Sequence, residues 1–278
     1  MTILTIARTT FGEAIRKKVL MTFLGVTVAL IPVSLMFSFF SFRQELATIK
    51  SFCFGMVGIA GLLIALIMGI QLVPAEIERR TIYTILSKPV NRYEFLLGKF
   101  LGAVFTLLVS IAAMGVVVII AVAVKTYDEP FSNGQYLLGV KSIITGLPHV
   151  FGQLAPGVVL IFFQLVMVTG LAMFFSTFLG AWINFFATSA LYCVGSLSQI
   201  TGSLASDPSK HGFPKFFGWI VHNIVPQFGN FHVLNPILQP NFLAKNLGTY
   251  IAEQVVYATL VCVMLMAFGI WIFEKKEV

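Results

Sequence analysis

The sequence predicts an all-α membrane protein with six transmembrane helices. Three observations predict it. Hydrophobic residues make up 58% of the chain and charged residues only 10%, against about 25% charged in a soluble domain. Apolar runs near the ~20 residues needed to cross a hydrocarbon core recur from end to end. The charges gather between these runs rather than within them. A water-soluble core is excluded by this composition, and the mean hydropathy of +0.94 agrees. The formal net charge of +7 lies on residues that flank apolar runs. It therefore reads as orientation in a lipid bilayer, with no nucleic-acid partner expected.

Residues 1–18, MTILTIARTTFGEAIRKK, place Ile3, Ile6, Ala7, Phe11, Ala14 and Ile15 at helical spacing opposite Arg8, Arg16, Lys17 and Lys18. That pattern predicts an N-terminal amphipathic helix lying in the membrane interface; a plain basic anchor is the alternative. Span one is 19–40, with Pro32 inside it. Span two, 52–73, carries Gly55, Gly58, Gly61 and Gly69, which allow a neighbouring helix to come close, either within the chain or in a second subunit. Span three is 95–124, entered through LLGKFLG, where Gly98 and Gly102 form a GxxxG pair. A link over 125–155 follows, holding Pro130 and Pro148, with 136–147 as a possible short surface helix. Span four is 156–175, opened by Pro156. A tight turn leads to span five, 182–200. Residues 201–249 hold five of the eleven prolines and read as broken outer helices, at the surface or re-entrant. Span six is 250–273. The whole of 1–278 is expected to form one transmembrane domain.

Basic residues orient the chain. With both termini inside, inner segments hold Arg8, Arg16, Lys17, Lys18, Arg79, Arg80, Lys88, Arg92, Lys99, Lys275 and Lys276. That is eleven of the eighteen Lys and Arg, and the longer outer segments hold the other seven. The bias predicts cytoplasmic termini.

The largest group of charges lies in 74–102, PAEIERRTIYTILSKPVNRYEFLLGKFLG, between spans two and three. Glu76 and Glu78 suit a helix N-terminus. Lys88 before Pro89 ends that helix, and Asn91 with Glu94 forms a capping box for the next. Two short helices broken at a proline and held at the inner face make a docking element, over 75–94. In this stretch Glu78, Thr81, Leu86, Ser87, Pro89, Arg92 and Lys99 resemble the coupling region of permease subunits of type-2 ATP-binding-cassette (ABC) transporters. The likeness extends to the group of permeases related to multi-copper-enzyme maturation. The opening ARTTFGEAIRKKVL is similar to the N-terminal interface helix of these permeases; Arg80 departs from them, where many carry Gly.

The resemblance implies a non-catalytic subunit of an ATP-driven exporter in the cell (inner) membrane. Two permease copies would pair, as a homodimer or heterodimer. A separate ATP-binding subunit would hold ATP and Mg. Glu76, Glu78, Arg79, Arg80, Thr81, Leu86, Ser87, Pro89 and Arg92 would contact it, with the turn at 176–181 as a minor second contact. A non-transporting membrane scaffold with an inner docking helix is the competing reading.

No GxxxxGK[ST], HExxH or GxSxG pattern occurs, so neither ATP binding by that route nor hydrolytic catalysis is expected in this chain, nor a metal or cofactor. The histidines His149, His211, His222 and His232 match no ligand spacing. Cys53, Cys193 and Cys262 all fall in apolar runs and are expected to be buried thiols. Gln164, Asn184 and Gln199 are the polar residues of the later spans. They either bond between helices or line a path for cargo.

Overall fold

In a computed structural model, the residues described are 2–34, 45–71, 92–126, 136–197, 225–232 and 247–275. Among them are seven α-helices and no strand. They are α1 (Thr2–Arg16), α2 (Lys18–Val33), α3 (Glu45–Gln71), α4 (Arg92–Thr126), α5 (Tyr136–Ser176), α6 (Ala181–Ser196) and α7 (Leu247–Lys275), with a 3-10 turn at Phe228–His232.

Among the described residues four helices have stretches long and apolar enough to cross a membrane: Thr48–Ile70, Tyr93–Thr126, Ile143–Ser176 and Leu247–Phe273. The helices read as spans one and five are shorter as described. α2 and α6 have 16 residues each, about 24 Å of helix, and end at the C-cap residues Ser34 and Leu197.

One expectation is corrected. The link placed over 125–155 is largely helical: α4 continues to Thr126, and α5 is a single helix of 41 residues with Pro148 and Pro156 inside it. Each proline removes only one backbone bond, to the carbonyl four residues before, and a membrane helix tolerates that when its neighbours hold it. Here Val150 and Leu154, between the two prolines, are buried, and the Lys50 ammonium of α3 donates to Gln153 Oε1 at 3.2 Å. At 1.5 Å per residue α5 is about 60 Å long, twice the ~30 Å of a hydrocarbon core.

α5 is the hub, packing against α3, α4, α6 and α7. The contacts fix direction. Phe54, Leu165 and Ala172 lie over Gly157, Gly61 and Gly69 respectively, so α3 and α5 run the same way. Val158 meets Gly115 and Phe100 meets Gly170, so α4 runs against α5. Cys262 meets Gly170, and Phe174 and Thr177 meet Gly269, so α7 runs with α5. α6 returns antiparallel after the turn at 177–180. Asn184 secures that return: its Nδ2 donates to the Ala172 carbonyl at 2.9 Å, and its Oδ1 accepts from the Thr188 hydroxyl at 2.9 Å. Asn184 and Thr188 are both fully buried. Asn184→Ala is expected to lower stability by about 1 kcal/mol, the scale of an interhelical hydrogen bond in a bilayer. A melting curve in detergent micelles checks it, with exposed Ile183→Ala as the control.

α1 does not lie across the bundle. Ile6 sits over Gly98, Thr10 over Gly102 and Phe11 beside Phe105, so α1 runs alongside the start of α4 in the same direction. Lys17, in extended conformation, breaks it from α2. α2 ends where the Ser34 hydroxyl meets Cys53 Sγ at 3.4 Å.

Candidate functional site

Several elements converge at one end of the bundle. Gly269 of α7 has Leu96 of α4, Phe174 of α5 and Thr177 of the α5–α6 turn around it, with side-chain atoms 3.7–3.8 Å from where a Cβ would stand. Ile3 of α1 lines a cavity together with Ile270 of α7. The beginning of α1, the beginning of α4, the α5–α6 turn and the end of α7 are therefore neighbours. α3 finishes at this end too, since Gly69 lies over Ala172, one turn before Ser176. Both helices that flank residues 72–91 thus open onto it.

Aromatic side chains ring the same end. Trp182 is 80% exposed, and Trp271, Tyr93 and Phe178 are also exposed. The Lys275 ammonium lies 3.8 Å from the centre of the Trp271 ring. Exposed Trp and Tyr with a flanking Lys suit a headgroup level. Lys99 is buried at this end of α4, its Nζ 5.7 Å from the Phe95 ring centre.

The expected docking residues Glu76, Glu78, Arg79, Arg80, Thr81, Leu86, Ser87 and Pro89 lie outside the described residues. Arg92 opens α4, and its side chain also lies outside them. The four expected packing glycines separate into two pairs. Gly98 and Gly102 receive α1, whereas no described atom would meet a Cβ at Gly55 or Gly58.

The other notable region is a cleft. Among the described residues α6 and α7 do not pack along one another. Between them a cavity of about 570 Å³ reaches α5 at Leu171 and Phe175. The segment 225–232 closes its far end. Phe228 and Phe231 are buried, with the Phe228 ring 5.4 Å from Tyr192. Polar bonds tie the segment to two helices, α7 and α5. The Gln227 amide N–H donates to the Tyr257 hydroxyl at 3.1 Å, and the Tyr250 hydroxyl donates to the Asn230 carbonyl at 2.7 Å. Gln164 Nε2 reaches the Phe228 carbonyl at 3.5 Å and the Tyr192 hydroxyl at 3.4 Å. Asn230 Nδ2 donates to Gln227 Oε1 at 3.0 Å. Gln254 lies between the two tyrosines on α7, and its buried Oε1 has no partner among the described residues.

Gln164 and Asn184 thus bond between elements, and Gln199 lies outside the described residues. Cys53 and Cys262 are buried as expected, but Cys193 is exposed on α6. This corrects the reading of all three as buried thiols: an apolar run does not say which side of its helix faces the bundle. His149 is exposed on α5 and His232 ends the 3-10 turn, while His211 and His222 lie outside the described residues.

The cap at 225–232 was not singled out by sequence. Its signal is the aromatic pair in FGNF, within the proline-rich stretch expected to form a surface or re-entrant segment. Among comparisons with known proteins, a family model described as an ABC-2 family transporter protein matches residues 4–278. No curated protein matches the chain.

Proposed function

Because the chain belongs to the ABC-2 transporter family, whose members are membrane subunits that pair with an ATP-binding subunit, we propose that it is the permease of an ATP-driven exporter. The observation that carries the proposal is the convergence at one end of the bundle of the two helices flanking 72–91, the α5–α6 turn and both α1 and the end of α7. A partner docking on 75–94 at that end would push directly on α4. α4 is locked to α1 by the Gly98–Gly102 seat and to α5 at Gly115, so it moves as a rigid body rather than bending.

In this reading Glu76, Glu78, Arg79, Arg80, Thr81, Leu86, Ser87, Pro89 and Arg92 contact the ATP-binding subunit. That subunit holds ATP and Mg. Both termini are cytoplasmic, the membrane is the cell's inner membrane, and the spans number six with 201–249 outer or re-entrant. The open face at Gly55 and Gly58 receives a second permease copy. The cleft between α6 and α7 is the candidate route for cargo, closed at its outer end by 225–232. Membership of the group related to multi-copper-enzyme maturation remains part of the proposal, carried by the residues of 78–99.

Co-purification tests the docking. The chain is expected to bring down an ATP-binding subunit, and deleting 76–92 is expected to release it. In reconstituted vesicles, Arg79→Glu with Arg80→Glu is expected to abolish cargo-stimulated ATP hydrolysis while membrane insertion persists. Normal stimulation in that double variant sinks the docking assignment. A chain that captures no ATP-binding subunit acts as a scaffold instead.

A further inference from the structure

A second cavity, of about 460 Å³, lies between α1, α4, α5 and α7. Its walls include Ile3, Phe100, Phe163, Cys262 and Met266. It asks for no polar ligand, since the one hydroxyl on its wall, Thr259, already donates to the Val255 carbonyl at 2.8 Å. Its mouth is lateral. Leu101 and Val263 are wall residues, and they are also 48% and 61% exposed on the outer surface of the bundle. In a membrane subunit that mouth opens into hydrocarbon. Water gains little in an apolar space, and an empty one forfeits dispersion contacts along its whole lining. A hydrocarbon chain satisfies both conditions, and the volume falls in the ~300–1,000 Å³ range of ligand sites.

A cation beyond the cavity's Ile270 wall selects the lipid. Ile270 forms the lower wall. Five residues on, about 7.5 Å along the helix, the Lys275 ammonium rests over Trp271 at the headgroup level. A cation so placed favours an anionic headgroup.

We propose that this cavity binds one acyl chain of an anionic phospholipid from the leaflet at the Lys275 end, its phosphate beside Lys275. The site rests on the chain being a membrane protein and is independent of the transport cycle. Its consequence is regulatory. Ile3 of α1 forms one wall, and the same helix sits on Gly98 and Gly102 just beyond the start of α4. A bound chain therefore fills space beneath α1 and holds it to α4, by ordinary ligand linkage.

The full chain in nanodiscs of phosphatidylcholine, doped with phosphatidylglycerol carrying a diazirine on one acyl chain, tests the site. After photolysis, adducts mapped by mass spectrometry are expected to concentrate on 97–104 and 258–270. Ala267→Trp, a change at the cavity's exposed edge, is expected to lower them about tenfold. Lys275→Glu is expected to reduce labelling by the phosphatidylglycerol probe but not by a phosphatidylcholine probe with the same chain. Unchanged melting temperatures show that both variants fold. Adducts spread evenly over the exposed faces of α4 and α7, and indifferent to Ala267→Trp, would mean annular lipid only and overturn the site. Equal loss of both probes in Lys275→Glu would overturn the headgroup assignment. The readout is covalent labelling, so failure of transport or of ATPase capture leaves it intact.

Discussion

Gly102→Leu is expected to pry α1 from α4 and to destabilise the folded chain by about 1–3 kcal/mol, the cost of forcing extra atoms into a packed contact. A Cβ at Gly102 would stand 2.6 Å from Thr10 Cβ and 2.8 Å from the Ala7 carbonyl oxygen. The carbonyl belongs to a helix backbone and cannot step aside by changing rotamer. Thr10 is itself pinned, its hydroxyl donating to the Ile6 carbonyl at 2.8 Å. One turn earlier, a Cβ at Gly98 would stand 2.8 Å from Ile6 Cβ and 3.1 Å from the Ile3 carbonyl oxygen, so Gly98→Leu should act in the same direction. Two readouts check this. The melting temperature in detergent should fall, and a disulfide between Phe11→Cys and Phe105→Cys, whose native rings lie 4.7 Å apart, should form poorly. Gly55→Leu is the matched control. It meets nothing described in the chain, and should leave both readouts unchanged while weakening any pairing of two copies through that face. Wild-type melting and crosslinking in Gly102→Leu would show that α1 is not seated on this pair.

The contrast between these glycines shows where the sequence stops being informative. A glycine in an apolar run announces that a close approach is possible. It does not say which side of the helix is used or what arrives there. Gly61 and Gly69 take α5, while Gly55 and Gly58, on the same helix, meet nothing described. The partner of Gly98 and Gly102 begins at residue 2, far away in the chain. Apolar length was the legible part, because lipid imposes it on each span separately. Continuity of α5 through Pro148 and Pro156 was not legible, since it rests on neighbours such as α3, which Lys50 joins to Gln153. Local propensity at a proline predicts a break, and packing overrules it. The polar side chains behaved similarly. Gln164 and Asn184 stood out by type, yet their partners are a turn carbonyl and a helix carbonyl, which no side-chain pattern reveals.

Phe228→Ala is expected to release the cap at 225–232. Phe228 is fully buried, and its ring lies against Gly195, where a Cβ would come within 2.6 Å of Phe228 Cδ2. In a water-soluble core such a truncation costs about 3–5 kcal/mol. In a bilayer the surrounding lipid is as apolar as the core, so the transfer part fades while lost packing remains. The expected loss is therefore about 2 kcal/mol. Tyr250→Phe, which removes only the 2.7 Å bond to the Asn230 carbonyl, should cost about 0.6 kcal/mol. Hydrogen exchange over 225–232 and over the facing stretch of α6 around Tyr192 should rise in the same order. The two variants separate apolar plugging from polar tethering as the means by which the segment closes the cleft. If the cleft carries cargo, loosening its cap while the docking end stays intact should raise ATP hydrolysis without cargo and weaken the response to it, the opposite of the Arg79 and Arg80 reversal. If exchange rises over 225–232 but basal hydrolysis and cargo response stay as in the wild type, the cap is a structural plug and the route lies elsewhere, with the open face at Gly55 and Gly58 the next place to look.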